Sequence, residues 1–157
     1  MDDALHSTPF GAYRQLIVVG RDGPPVVHSG VNGLGVVASA IGVDAAAAGN
    51  LLAQPEVPSA MLAAFAGSTM EFPARLLRAL SAGVAAGGEA GPIHSAGLLV
   101  VRDVSWPIID LRVDWADEDP VAELTSLWER YQPQVEDYIR RALDPAAAPS
   151  FGVPGDR

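Results

Sequence analysis

Three charged residues at alternate positions, Asp110, Arg112 and Asp114, form the strongest polar constellation in this 157-residue chain. Alternate side chains of a strand share a face, so the three stack on one side while Leu111 and Val113 point to the other. Such a ladder can brace a fold, with Arg112 bridging two carboxylates. Breaking it would cost about 3–5 kcal/mol if the face were buried, and each pair is worth roughly 0–1 kcal/mol if it is exposed. It can also organise a site, because charge networks set the protonation of their neighbours. Bracing is the favoured role.

Histidine and serine supply the other candidate chemistry. His28-Ser29 and His94-Ser95 each set a hydroxyl beside an imidazole, yet neighbours on a strand point to opposite faces, so neither is a ready-made base and nucleophile. Either His28 or His94 could act as a general base on a small metabolite. His6 lies in what reads as an exposed leader. No His-x-His or His-x-x-x-His spacing occurs, so a metal centre would have to be assembled by the fold, and none is expected. Gly30 to Gly35 is glycine-rich but matches neither a dinucleotide fingerprint nor a phosphate loop, and no cofactor is expected. All ten cationic residues are Arg, and Cys is absent. Schiff-base chemistry, a thiol nucleophile and thiolate metal sites are therefore excluded within the chain. Arg75 and Arg78 share one side of a helical segment. A solvated face is the plain interpretation and a paired-arginine anion site the sharper one.

A formal charge of −9 with scattered arginines argues against a nucleic-acid partner. The amino terminus lacks the basic start and apolar run of a signal peptide. The longest apolar runs, such as Leu98 to Val101, are strand-length, so no membrane association is expected and a cytoplasmic location is the default. Hydrophobic residues make up 49% of the chain but aromatics only 6%, which predicts a core of small, closely packed side chains.

The elements that must position these groups follow from periodicity. Tyr13 to Val19 and Val26 to Ser29 read as a hairpin around Arg21-Asp-Gly-Pro-Pro25. A glycine-rich loop follows, then a strand over Val36 to Ile41. Residues 44–54, with four consecutive Ala followed by Gly-Asn-Leu-Leu, leave helix and loop both open. Helical stripes follow at Val57, Met61, Leu62 and Phe65, and again at Phe72, Leu76, Leu77, Leu80 and Val84. Ser95 to Val101 and Trp106 to Trp115 read as an antiparallel pair. Asp119-Pro120 starts a last helix that Pro133 should kink or split near Gln132. Residues 1–12 are expected to be a loose leader, 13–143 a single α+β domain, and 144–157 a disordered tail.

The order of several short segments carries a resemblance. Arg14-Gln-Leu16, Ser29-Gly30, Gly49-Asn-Leu-Leu-Ala53 with Pro55-Glu-Val57, and Arg75-Leu-Leu-Arg-Ala-Leu80 with Ala85-Ala-Gly-Gly88 are followed by Ser95-Ala96 and Leu99-Val-Val-Arg102. Asp110-Leu-Arg-Val-Asp114 and Asp119-Pro-Val-Ala-Glu-Leu124 complete the set. Over about residues 13–131 the chain resembles the bacterial domain of unknown function 1028 family, whose fold is similar to the N-terminal-nucleophile (Ntn) hydrolases.

The resemblance implies an α+β, layered αββα architecture with mainly antiparallel sheet and flanking helices, here matching the carboxy-terminal part. It also implies a Ser or Thr nucleophile directly after Met in a strand-rich front half. In this chain Asp2 follows Met1, and His94 stands where the family tends to carry Gln. The expectation is an amide hydrolase subunit whose nucleophile comes from a partner. His94, Asp110 and Arg112 are then the catalytic candidates, and Asn50, His28 and Ser95 the ligand-binding ones. The partner would be a second copy or a chain supplying the front half, covering an apolar sheet face. The alternative is a non-catalytic scaffold or small-molecule-binding subunit that oligomerises through its sheet.

Overall fold

The computed structural model describes Leu5 and residues 7–152. The remainder of the expected leader, including His6, and the last five residues lie outside the described set. The chain has α+β organisation, with antiparallel strand pairs and helices beside them, and it falls into two compact units that meet in sequence between Ile93 and His94.

In the first unit, β1 (Gln15–Val18) pairs antiparallel with β2 (Val26–Ser29), so that Gln15 faces Ser29 and Val18 faces Val26. β3 (Val36–Ile41) pairs antiparallel with β4 (Ala46–Leu52). The alanine run left open by its spacing is thus a strand. Alanine is the best intrinsic helix former, but propensity amounts to a fraction of a kcal/mol per residue and tertiary pairing overrides it. A tight turn closes the hairpin, with Gly42 N–H donating to the Ala45 carbonyl at 2.8 Å. The small side chains of β4 let α1 (Val57–Ala66) come close, and Ala47 is buried.

β4 carries a bulge. Val36 faces Leu52 and Ala38 faces Gly49, so two steps along β3 oppose three along β4. Leu51 takes up the extra residue with φ of 51°, a left-handed conformation rare for a branched side chain. Its N–H donates to the Leu34 carbonyl at 2.9 Å. Gly35, φ 64°, lies so close that an added Cβ would sit 3.0 Å from the Leu51 Cα.

α2 (Phe72–Ala85) packs on α1, where a Cβ at Gly83 would fall 2.8 Å from the Met61 Cγ. The chain leaves α2 through two left-handed glycines, Gly87 and Gly88, as its Gly-Gly stop predicts. Residues 88–90 then bond back to the end of β4, through Ala53 N–H to the Gly88 carbonyl and Ala90 N–H to the Leu51 carbonyl. Ile17, Val18, Val26, Val36 and Ile41 on these strands are exposed.

In the second unit, β5 (Ala96–Val100) and β6 (Ile109–Val113) form an antiparallel pair against α3 (Pro120–Tyr131). Leu98, Val100, Ile109 and Val113 are buried, as are Leu124 and Trp128 of the helix, with Leu124 fully so. The expected cap is present: Asp119 Oδ1 accepts from the N–H groups of Val121 and Ala122 at 3.0 and 2.9 Å. Of the two outcomes expected at Pro133, the split is the one found. A 3-10 turn over Gln132–Gln134 separates α3 from α4 (Val135–Leu143). Tyr131 donates to the Ile108 carbonyl at 3.2 Å, and burial raises its phenol above the ordinary value. Beyond α4, Pro145–Ala147 form another 3-10 turn, and the Phe151 ring lies 6.1 Å from that of Tyr138.

Candidate functional site

The bulged end of β4 borders a cavity of about 430 Å³. Arg14, Gln15, Ser29, Asn32 and Asn50 bring polar groups to it, while Tyr13, Leu34 and Val37 give it apolar surface. The β1–β2 register sets Gln15 across from Ser29, and Gln15 Nε2 donates to Ser29 Oγ at 2.9 Å and to the Gly49 carbonyl at 3.2 Å. That carboxamide ties β1, β2 and β4 together at the floor of the cavity. The loop wall is stapled by backbone bonds from Gly30 N–H to the Arg14 carbonyl and from Asn32 N–H to the Ala12 carbonyl, both 2.8 Å.

Carboxamides and a guanidinium around an apolar bowl suit a ligand that carries an amide or carboxylate. The Ser29 hydroxyl is held by a carboxamide, which cannot take its proton, so nothing in this arrangement activates it as a nucleophile. Of the two ligand-binding candidates in this unit, Asn50 lines the cavity and His28 does not. His28 instead binds the chain entry, with Nε2 3.1 Å from the Gly11 carbonyl. Because a carbonyl only accepts, Nε2 is the protonated nitrogen there.

The other four candidates belong to the second unit. His94 pairs with Ala116: Ala116 N–H donates to the His94 carbonyl at 2.8 Å, and His94 Nδ1 donates to the Ala116 carbonyl at 2.9 Å. Fixing the Nδ1–H leaves Nε2 with its lone pair. The ring stacks on Trp115, with centroids 4.0 Å apart. Ser95 follows, exposed, immediately before β5.

Asp110 and Arg112 lie on the exposed face of β6, whereas Asp114, also exposed, falls in a bend just past the strand's end at Val113. Among the described residues no ion pair joins Arg112 to either carboxylate; the pair within 4.0 Å is Arg102–Glu136. Full hydration of the face removes the need for internal pairing. Arg112 and Asp114, with Trp115, Glu123 and Arg130, line an open groove of about 560 Å³, and Asp110 lies outside it. Among the described residues no cluster of His, Asp and Glu could hold a metal ion, and no helix is long and apolar enough to cross a membrane.

Several of these groups left no mark in the sequence. Gln15 and Asn32 reach the first cavity through strand register and a loop staple, which no local spacing announces. Trp115 was legible only as the end of a strand. Arg75 and Arg78 separate: Arg75 is half-buried and lines a cleft, and Arg78 is exposed and does not.

Comparison with known proteins adds the family. A protein of Silicibacter pomeroyi, solved as a crystal structure and described as DUF1028, matches with 28% identity and a TM-score of 0.78. The match covers 89% of this chain and 62% of that one, so the chain spans less than two thirds of its relative's length. Among proteins of curated function, none matches. The model of the family of unknown function DUF1028 matches residues 1–124, and the chain belongs to that family.

Proposed function

We propose that this chain supplies one wall of an amide-binding site, and that a strand-rich complement, on the same or another polypeptide, brings the reacting hydroxyl. The observation that carries the proposal is the cavity at the β4 bulge, where Asn50, Gln15 and Arg14 surround apolar surface. Bulges are frequent beside active sites, where they re-aim a side chain. The strands next to this cavity expose Ile17, Val18, Val26 and Val36. Apolar strand surface of this kind marks a place where further chain docks. The Ntn-like, αββα arrangement and amide-bond hydrolysis come from the family resemblance.

Under this proposal Asn50 holds the substrate amide. The second unit, taken by itself, presents the Nε2 lone pair of His94 and the exposed charges of Asp110 and Arg112. The test is co-expression with a strand-rich relative that begins Met-Thr or Met-Ser, followed by an amide-substrate screen. The expected result is a stable complex that hydrolyses an amide and loses at least tenfold in rate with Asn50→Ala. A chain that stays monomeric beside every such complement, with no hydrolysis, overturns it.

A second interpretation, a ligand-binding scaffold without catalysis, is favoured by the Ser29–Gln15 bond, which leaves the cavity's hydroxyl without a base. A complex that binds amides saturably and never turns them over decides for it.

A further inference from the structure

A separate cleft of about 760 Å³ lies in the first unit where the β3–β4 turn meets α1, and it shares no lining residue with the cavity at the bulge. Its walls are mainly apolar, from Ile41, Val43, Leu62, Phe65 and the exposed faces of Ala63 and Ala66. One cation reaches it, Arg75, from the first turn of α2.

Arg75 is held in place before any ligand arrives. Its Nε donates to the Phe65 carbonyl at 3.3 Å, and its guanidinium carbon sits 4.1 Å over the Phe65 ring centroid. Phe65 is itself fixed edge-on by Phe72, with centroids 6.1 Å apart at 86°. The bond and the cation–π contact use Nε and one face of the guanidinium. Among the described residues, neither terminal nitrogen has a hydrogen-bond or ion-pair partner. Two parallel N–H groups on a half-buried, immobilised guanidinium are the geometry a carboxylate takes bidentately.

The charge balance narrows the ligand. Asp44 also lines the cleft and opposes a second negative charge. A phosphate or dicarboxylate, which would need more than one cation, is therefore disfavoured against a monoanion. We infer that the Arg75 cleft binds a small monocarboxylate with a branched or aromatic apolar body, the carboxylate on Arg75 and the body against Leu62, Ile41 and Phe65. Two sources share this chemistry, a simple organic acid and an apolar amino acid whose ammonium would face Asp44. This inference goes beyond the amide-site proposal and does not depend on it.

The test titrates the full chain by calorimetry with 4-methylpentanoate, with leucine, and with inorganic phosphate. Saturable binding of 4-methylpentanoate is expected, with no binding of phosphate at the same concentrations. Arg75→Gln should weaken binding at least tenfold, and Arg75→Lys should restore only part of it. Ala66→Phe, at an exposed position, should block binding by filling the cleft while the thermal unfolding curve stays cooperative. That variant keeps the test valid if Arg75→Gln disturbs the Phe65 contact and with it the fold. Leucine binding tighter than 4-methylpentanoate assigns the amino-acid source, and weaker binding assigns the organic acid. Absence of carboxylate binding, binding unchanged in both Arg75→Gln and Ala66→Phe, or tighter binding of phosphate overturns the inference.

Discussion

His94 lies flat against Trp115, the two rings 6° from parallel with centroids 4.0 Å apart, and the same imidazole is tied by Nδ1 to the Ala116 carbonyl at 2.9 Å. Stack and hydrogen bond together fix both the plane of the ring and its rotation within that plane. The tautomer follows, because the partner atom can only accept. In two-bond nitrogen–proton spectra, neutral His94 is expected to show the Nδ1–H form. Trp115→Ala should leave the tautomer unchanged and broaden the ring signals. An Nε2–H form in the parent chain would contradict this arrangement and remove Nε2 from the proton acceptors.

The Gly35–Leu51 contact makes a prediction about the bulge. Gly35→Ala adds a Cβ 3.0 Å from the Leu51 Cα at a residue already at φ 64°. The expected loss is about 1–2 kcal/mol, the cost of a left-handed non-glycine residue. Leu51→Asn should cost far less or stabilise, because Asn tolerates that conformation. Urea unfolding of the two variants checks the ordering, and the reverse order would mean that the bulge is not held in this form.

Arg102 and Glu136 form an exposed bidentate pair, with oxygen–nitrogen distances of 2.7 and 3.2 Å. The bond to Arg102 holds the Glu136 carboxyl below its ordinary value. A carboxyl depressed in the folded state contributes stability that is present above its unfolded value and lost as pH falls through the folded one. Arg102 is raised by the same bond, and its contribution fades only in strong alkali. Glu136→Gln is therefore expected to lower the melting temperature slightly at neutral pH and not at all in strong acid. The difference should shrink in high salt, since the pair is solvated. An equal loss at both pH values would assign the effect to packing.

Much of the fold was readable in the sequence because its signals are local. Pro120 after Asp119, the Gly87-Gly88 stop and the Arg21 to Pro25 turn act within a few residues, and the structure places elements accordingly. β4 was not readable, because Ala45 to Ala48 carries no period and only the partner strand decides its state. The ladder of Asp110, Arg112 and Asp114 was legible as far as β6 runs, with Asp110 and Arg112 on one face and Asp114 in the bend past Val113. Its missing internal pairing was not, since solvation depends on what the rest of the chain covers. The candidate cavity depended on the register of Gln15 against Ser29 and on a bulge at Leu51, both set by contacts distant in sequence.

Gly30 gives the cavity wall one further property. A Cβ there would collide with the Ala12 carbonyl, across the gap spanned by the bonds Gly30–Arg14 and Asn32–Ala12. The frame of the site is thus main chain clamped on main chain, with one hydrogen atom's clearance between its halves. Chemical preference, by contrast, resides in side chains that project from that frame at Arg14, Asn32 and Asn50. Substitution at these three positions would change the cavity's surface without disturbing the clamp, so the ligand preference proposed for it can drift while its frame stays unchanged.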